Sequence, residues 1–141
     1  MNNQIPKHFS TFCSLQNLKL IREFLSKNLG GHHIKESDQQ MIVLAVDEIC
    51  SNSIIHGNKE NANDLIDVFL NFRPGEVIIE IIDKGLSFDF SSYQEQTIES
   101  LIQKREKGSM GLMLVKRIMD RIEYKREKDR NICRLIKKID D

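Results

Sequence analysis

The sequence predicts an α+β fold, a two-layer sandwich with helices on one face of a mixed, mostly antiparallel sheet. Three observations carry that prediction. Two segments near the N-terminus repeat apolar residues every three or four positions, the period of a helix with one buried face. Residues 65–82 and 121–139 switch to alternation, the period of a strand. The strands follow one another as hairpins rather than alternating singly with helices.

In order, Ile5–Ser14, with Phe9, Phe12 and Cys13, reads as a short strand. Leu15, Leu18, Ile21, Leu25 and Leu29 then mark a first helix, which Gly30-Gly31 should end. Ser37 or Asp38 is a good N-cap for a second helix, whose stripe is Ile42, Ala45, Val46, Ile49 and Ser53 and whose stop is His56-Gly57-Asn58. Ile66, Val68, Leu70 and Phe72 alternate with polar or exposed positions, Pro74-Gly75 turns the chain, and Val77–Ile82 forms a strand buried on most of both faces. Residues 83–108 have no clean period and read as a loop of the length expected of a functional lid. Met110–Ile122 is helical again, and Arg121–Lys125 and Ile132–Ile139 form a last hairpin around Lys128-Asp129-Arg130-Asn131.

The 141 residues suit one domain spanning 1–141, long enough to bury a core without staples. Lys+Arg and Asp+Glu both number 21, which excludes a broad electrostatic grip on nucleic acid or an anionic membrane. No apolar run approaches the ~20 residues of a membrane span, and MNNQIPKHFS lacks the apolar core of a secretory signal. Cys13, Cys50 and Cys133 are an odd count without CxxC spacing, which points to reduced, structural thiols and a cytoplasmic location. His32-His33 matches no zinc ligand set and is assigned to loop surface.

Three constellations hold possible chemistry. Glu48, Asn52 and His56 stand four residues apart, stacked on one helix face away from the apolar stripe. A carboxylate there can act as a base, and a neutral amide oxygen is a modest ligand for Mg²⁺, which needs only one or two protein oxygens. The same spacing suits a plain solvated helix surface. Asp83-Lys84-Gly85 ends an apolar strand, as a carboxylate at the mouth of a pocket or as a simple turn. Gly108-Ser109-Met110-Gly111-Leu112 opens a helix whose free N–H groups and dipole favour phosphate, or in which Ser109 merely caps. Lys104, Arg105 and Lys107 precede those glycines and either reach outer phosphates or form a solvated charge run. Lys125-Arg126-Glu127-Lys128 and Arg130 read as a wet hairpin turn.

In this order, Glu48-x-x-x-Asn52, Asp83-x-Gly85 and Gly108-x-x-Gly111 resemble the N, G1 and G2 boxes of the histidine-kinase-like (GHKL) ATPase superfamily, over nearly the whole chain. AVDEICSNSIIHGN, IIDKGLSFDF and KGSMGLMLVKRIMD are similar to the bacterial anti-sigma-factor serine kinases. Ile55, where sensor histidine kinases usually carry Lys, and the following His56-Gly57 favour that subfamily.

The resemblance implies a Bergerat-type sandwich and an anti-sigma regulatory factor with ATP and Mg²⁺ as cofactors. It implies that Asp83 accepts the adenine amino hydrogen bond, that Gly85 lets the base lie close, and that Asn52 holds Mg²⁺ and the phosphates. It implies that Gly108, Ser109, Met110 and Gly111 offer N–H groups to the phosphates, with Leu112 and His56 beside the nucleotide. Glu48 then orients or deprotonates a serine hydroxyl of an antagonist protein, and Lys104 and Arg105 approach the γ-phosphate. A sigma factor and a second copy of the chain are the other implied partners. Ser87 replaces the second glycine of the G1 pattern D-x-G-x-G, which keeps a second reading open, that of a non-catalytic nucleotide- or partner-binding module. A third reading is the ATPase domain of a phosphorelay protein.

Overall fold

The computed structural model describes residues 6–57, 63–84 and 109–139. Five strands, β1 (Lys7–Phe12), β2 (Leu65–Arg73), β3 (Glu76–Asp83), β4 (Arg121–Glu127) and β5 (Arg130–Lys138), form one sheet in the order β1-β2-β3-β5-β4. Each of its four pairings is antiparallel. Helices α1 (Leu18–Leu29), α2 (Glu36–Asn52) and α3 (Ser109–Ile118) cover one face. This is the two-layer α+β sandwich that the periodicities predict.

The core lies between the layers. Ile21, Leu25 and Leu29 of α1, Ile42, Ala45, Val46 and Ile49 of α2, and Leu112 and Val115 of α3 meet Ile66, Val68, Leu70, Ile79, Ile81 and Leu135 of the sheet. Each fully buried Ile or Leu contributes about 1.5–3 kcal/mol of transfer free energy. β3 is central, and Val77, Ile78, Ile79 and Ile81 are all buried, so its near-continuous apolar run has a structural cause. Pro74-Gly75 turns β2 into β3 with Gly75 at φ +79°, a conformation that glycine adopts without a Cβ clash. The open face is polar along its middle. There Arg134 bonds Glu80 at 2.8 Å, and exposed His8 bonds Asp67 at 2.8 Å.

Several boundaries differ from expectation. α2 begins at Glu36 rather than after Ser37 or Asp38, with Lys35 as N-cap. Gln39 N–H donates to the Lys35 carbonyl at 2.9 Å, and Glu36 and Asp38 lie in the first turn, where negative charge suits the helix dipole. α3 stops at Ile118, and Ile122 belongs to β4. Lys137 Nζ donates to the Ile118 carbonyl at 3.1 Å, and Asp120 N–H donates to the Ile136 carbonyl at 2.9 Å, so β5 takes over the chain where the helix ends. Of the first helical stripe, Leu15 is 40% exposed, because it sits in a 3₁₀ turn ahead of α1. Phe9 packs on Phe24, whereas Phe12 is exposed. His32 is not plain loop surface, since its ring stacks on Phe72 with centroids 3.5 Å apart.

Candidate functional site

The last turn of α2 widens into a π-turn, Ser53–Gly57. Such turns recur at functional sites because they redirect side chains out of the regular helical stripe. Here Ser53, the first residue of the turn, reaches the C-terminal end of β3. Ser53 Oγ donates to Asp83 Oδ2 at 2.5 Å. Ser53, which the helical period assigns to the apolar stripe, is half-buried and polar-bonded instead.

Asp83 is 7% exposed, at the last position of β3, and lies opposite Asn131 of β5. Asn131 Nδ2 donates to Asp83 Oδ1 at 3.0 Å. Asn131 Oδ1 in turn accepts from Tyr124 OH at 2.8 Å and from Arg126 Nη1 at 2.6 Å. The buried carboxylate is therefore held on both oxygens by a network drawn from the π-turn, β4 and β5. Below it, burial and then the Asp83 charge push the Cys133 thiol up to about 12. Cys13, Cys50 and Cys133 are all buried and reduced, as expected of structural thiols.

Asn52 is not on a solvated face. It is 6% exposed, and its Nδ2 is buried without a hydrogen-bond partner among the described residues. An unmade buried hydrogen bond costs about 1–3 kcal/mol, so this amide is suited to a ligand rather than to the fold. Its chemistry fits a magnesium–triphosphate group: the N–H side matches a phosphate oxygen, and the neutral carbonyl side can supply one metal ligand. Among the described residues, no cluster of three or more His, Cys, Asp or Glu could cage a metal ion. A metal arriving with its own phosphate ligands is the kind these residues suit.

Glu48 lies one turn before Asn52 and is half-buried. Burial, and then the neighbouring Asp47 charge, raise its carboxyl above the ordinary value of 4.5. Its side chain reaches the first turn of α3. A Cβ built on Gly111 would overlap Glu48 Oε2 and stand 2.9 Å from its Cδ. Only a glycine leaves that carboxylate where it is. Leu112 is 2% exposed and part of the core, so its backbone, not its side chain, is what could meet a ligand.

The structure thus sets Glu48 against Gly111 and bonds Ser53, the residue after Asn52, to Asp83, and it sets the backbone of Ser109 and Met110 at the N-terminus of α3. His56 falls within the π-turn. Gly85, Lys104, Arg105 and Gly108 lie outside the described residues. A cavity of about 440 Å³ opens on the other side of Asp83, between Leu65, Phe69, Ile82 and Arg130. It belongs to the open face of the sheet, away from Asn52 and Glu48.

Sequence reading missed Ser53, Tyr124, Arg126 and Asn131. One signal was available: Asn131 is in phase with the inward Cys133 and Leu135. Arg126, read as part of a wet turn, is exposed, yet its guanidinium ends on the buried Asn131.

A family model for the histidine kinase-like ATPase domain matches residues 13–137. The chain belongs to the histidine kinase-like ATPase family. Membership implies ATP use. This histidine kinase-like ATPase is 35% identical over 97 residues to the anti-sigma F factor of Clostridium beijerinckii, covering 67% of this chain and 66% of that protein. It is 35% identical over 86 residues to the serine-protein kinase RsbW of Bacillus pumilus, covering 57% and 53%. It is 28% identical over 119 residues to the serine-protein kinase RsbW of Staphylococcus aureus, covering 81% and 75%. The chain therefore spans a little under two thirds of the first of these relatives and about half of the second. The crystal structure of the RsbU and RsbW domains of Rv1364c from Mycobacterium tuberculosis shares the fold, with a TM-score of 0.66 at 16% identity over 96% of this chain and 33% of that one.

Proposed function

We propose that this histidine kinase-like ATPase is an anti-sigma regulatory factor with ATP-dependent protein-serine kinase activity. Its substrate is a serine of a small antagonist protein, and its second protein partner is a sigma factor. The observation that carries the reading is the buried Asn52 Nδ2, which has no partner among the described residues and lies one residue from Ser53, which bonds Asp83. A buried, unsatisfied donor next in the chain to the residue that bonds Asp83 is a poor core and a good nucleotide site. The names of the relatives, anti-sigma F factor and serine-protein kinase RsbW, supply the reaction class and the kind of partner.

In this reading Asp83 accepts from the adenine amino group, and Gly85 lets the base approach. Asn52 takes a phosphate oxygen and Mg²⁺. The α3 N-terminus, with Gly108, Ser109, Met110 and Gly111, takes the phosphates through backbone N–H groups. Magnesium-bound ATP supplies the phosphoryl group and its charge neutralisation. Glu48 accepts the proton of the attacking serine hydroxyl, a role typically worth about 10²–10⁴-fold in rate. Its raised pKa strengthens it as a base, and the missing side chain of Gly111 leaves room for it. Lys104 and Arg105 serve the outer phosphate. Single-domain organisation, self-association as a homodimer and a cytoplasmic location complete the proposal. In support of the last, no helix among the described residues is long and apolar enough to cross a membrane.

The test is transfer of labelled phosphate from ATP to a candidate antagonist protein, with and without Mg²⁺. Glu48→Gln should keep nucleotide binding and lose transfer. Near-normal turnover in that variant refutes the assigned role, and nucleotide binding without transfer by the wild type supports the non-catalytic module instead.

A further inference from the structure

Asn131 does something that no motif of the chain announces. It is 5% exposed and sits across the β3–β5 ladder from Asp83. A carboxamide has a donor end and an acceptor end of nearly the same shape, so its orientation is set by its partners. Here Tyr124 OH and Arg126 Nη1, the second of them cationic, both donate to Oδ1 at 2.8 and 2.6 Å. That clamp leaves Nδ2 as the end facing Asp83, 3.0 Å from Oδ1. The opposite orientation would place a carbonyl against a carboxylate and two donors against an NH₂ group. With Ser53 donating to the other oxygen, Asp83 receives an O–H and an N–H. What Asp83 then offers a ligand is acceptor character.

We propose that Asn131, clamped by Tyr124 and Arg126, is a positioning residue that holds the acceptor-only carboxylate of Asp83 in the orientation that meets the base, and so sets a preference for a 6-amino over a 6-oxo purine nucleotide. The inference rests on the reading of Asp83 as the base contact. A 6-amino group donates to such a carboxylate. A 6-oxo group meets it with a second acceptor, and two buried acceptors face to face leave both unsatisfied. The base preference is therefore built from β4 and β5 as well as from the helical motifs.

The experiment compares ATP and inosine triphosphate as competitors for a fluorescent nucleotide on the full chain. Asn131→Ala removes the donor to Asp83 Oδ1. The double variant Tyr124→Phe/Arg126→Met keeps the ring and the aliphatic stem but releases the amide. For Asn131→Ala, ATP affinity should fall about tenfold, the size of a lost hydrogen bond to a charged group. Inosine triphosphate affinity should change less than twofold. The double variant should lower the ATP-to-inosine-triphosphate ratio about threefold or more. A general loosening of the site would weaken both nucleotides alike, so the ratio separates positioning from mere structural damage. If Asn131→Ala does not fold, the double variant decides. An unchanged ratio in a folded variant overturns the proposal while leaving the base-contact reading standing. Wild-type protein that binds neither nucleotide, or both equally, refutes the base-contact reading and the proposal with it.

Discussion

Asn52→Leu separates a fold requirement from a ligand requirement. Leucine has the same branching as asparagine, with two methyl groups in place of the amide oxygen and nitrogen, carries no polar atom and favours the helix more. Asn52 is 6% exposed, and its Nδ2 has no partner among the described residues, so the wild-type helix carries the desolvation cost of one unmade hydrogen bond. That cost is about 1–3 kcal/mol. Removing it without opening a cavity should raise stability by at least about 1 kcal/mol. For a domain of this length that is a melting temperature higher by roughly 3–4 °C. The same variant should lose the Mg²⁺-dependent stabilisation that ATP gives the wild type. At a hundred times Kd that stabilisation is about 2.7 kcal/mol, a shift larger than a gain of about 1 kcal/mol. The assay is a thermal melt of both proteins with and without ATP and Mg²⁺. The expected pattern is a crossing: the variant melts higher when apo, the wild type higher when loaded. An apo variant that melts below the wild type by several degrees would mean the amide is satisfied by the fold, and the reasoning from an orphaned donor would fail.

Gly111→Ala should leave the fold nearly intact, because the atoms it displaces are the flexible end of Glu48. Transfer should fall about tenfold or more as the base is pushed aside, with nucleotide affinity changed far less, and steady-state kinetics beside binding isotherms will check the split. The raised Glu48 carboxyl predicts a rate that climbs with pH through a value above 4.5 and then levels. Glu48→Gln should remove that limb. In stability the sign is opposite: the fold favours the protonated form, so this group's contribution is present below its unfolded value and lost as pH rises through its folded one. Finally, burial should protect all three thiols, with Cys13 and Cys133 both pushed up to about 12. A thiol reagent at mildly alkaline pH should find almost none in the native protein and three per chain in denaturant; rapid native labelling would contradict the burial.

Periodicity made the fold legible. The alternation of Ile66, Val68, Leu70 and Phe72 and the β-branched run before Asp83 are direct records of one buried face and of a central strand. Element ends were less legible because tertiary bonds decide them. Lys137 reaching the Ile118 carbonyl ends α3 earlier than its apolar pattern does. Of the site, the helical spacing of Glu48 and Asn52 was readable, but the burial of Asn52 was not. An i, i+4 pattern assigns a side chain to a face, and tertiary packing then decides that Asn52 is covered.

The positions that spacing could not find share one physical trait. Ser53, Tyr124, Arg126 and Asn131 act on Asp83 across strands and layers, at sequence separations of 30 and 48 for the two direct bonds. Local periodicity has no access to such pairings; strand register does. Once Asp83 is set opposite Asn131, the side chains in phase with Asn131 on its neighbour β4 are Tyr124 and Arg126, and both carry donors. A buried carboxylate at a strand end needs donors from somewhere. The inward polar residue on the adjacent strand is the place to look for them, ahead of the more conspicuous charges on an exposed turn.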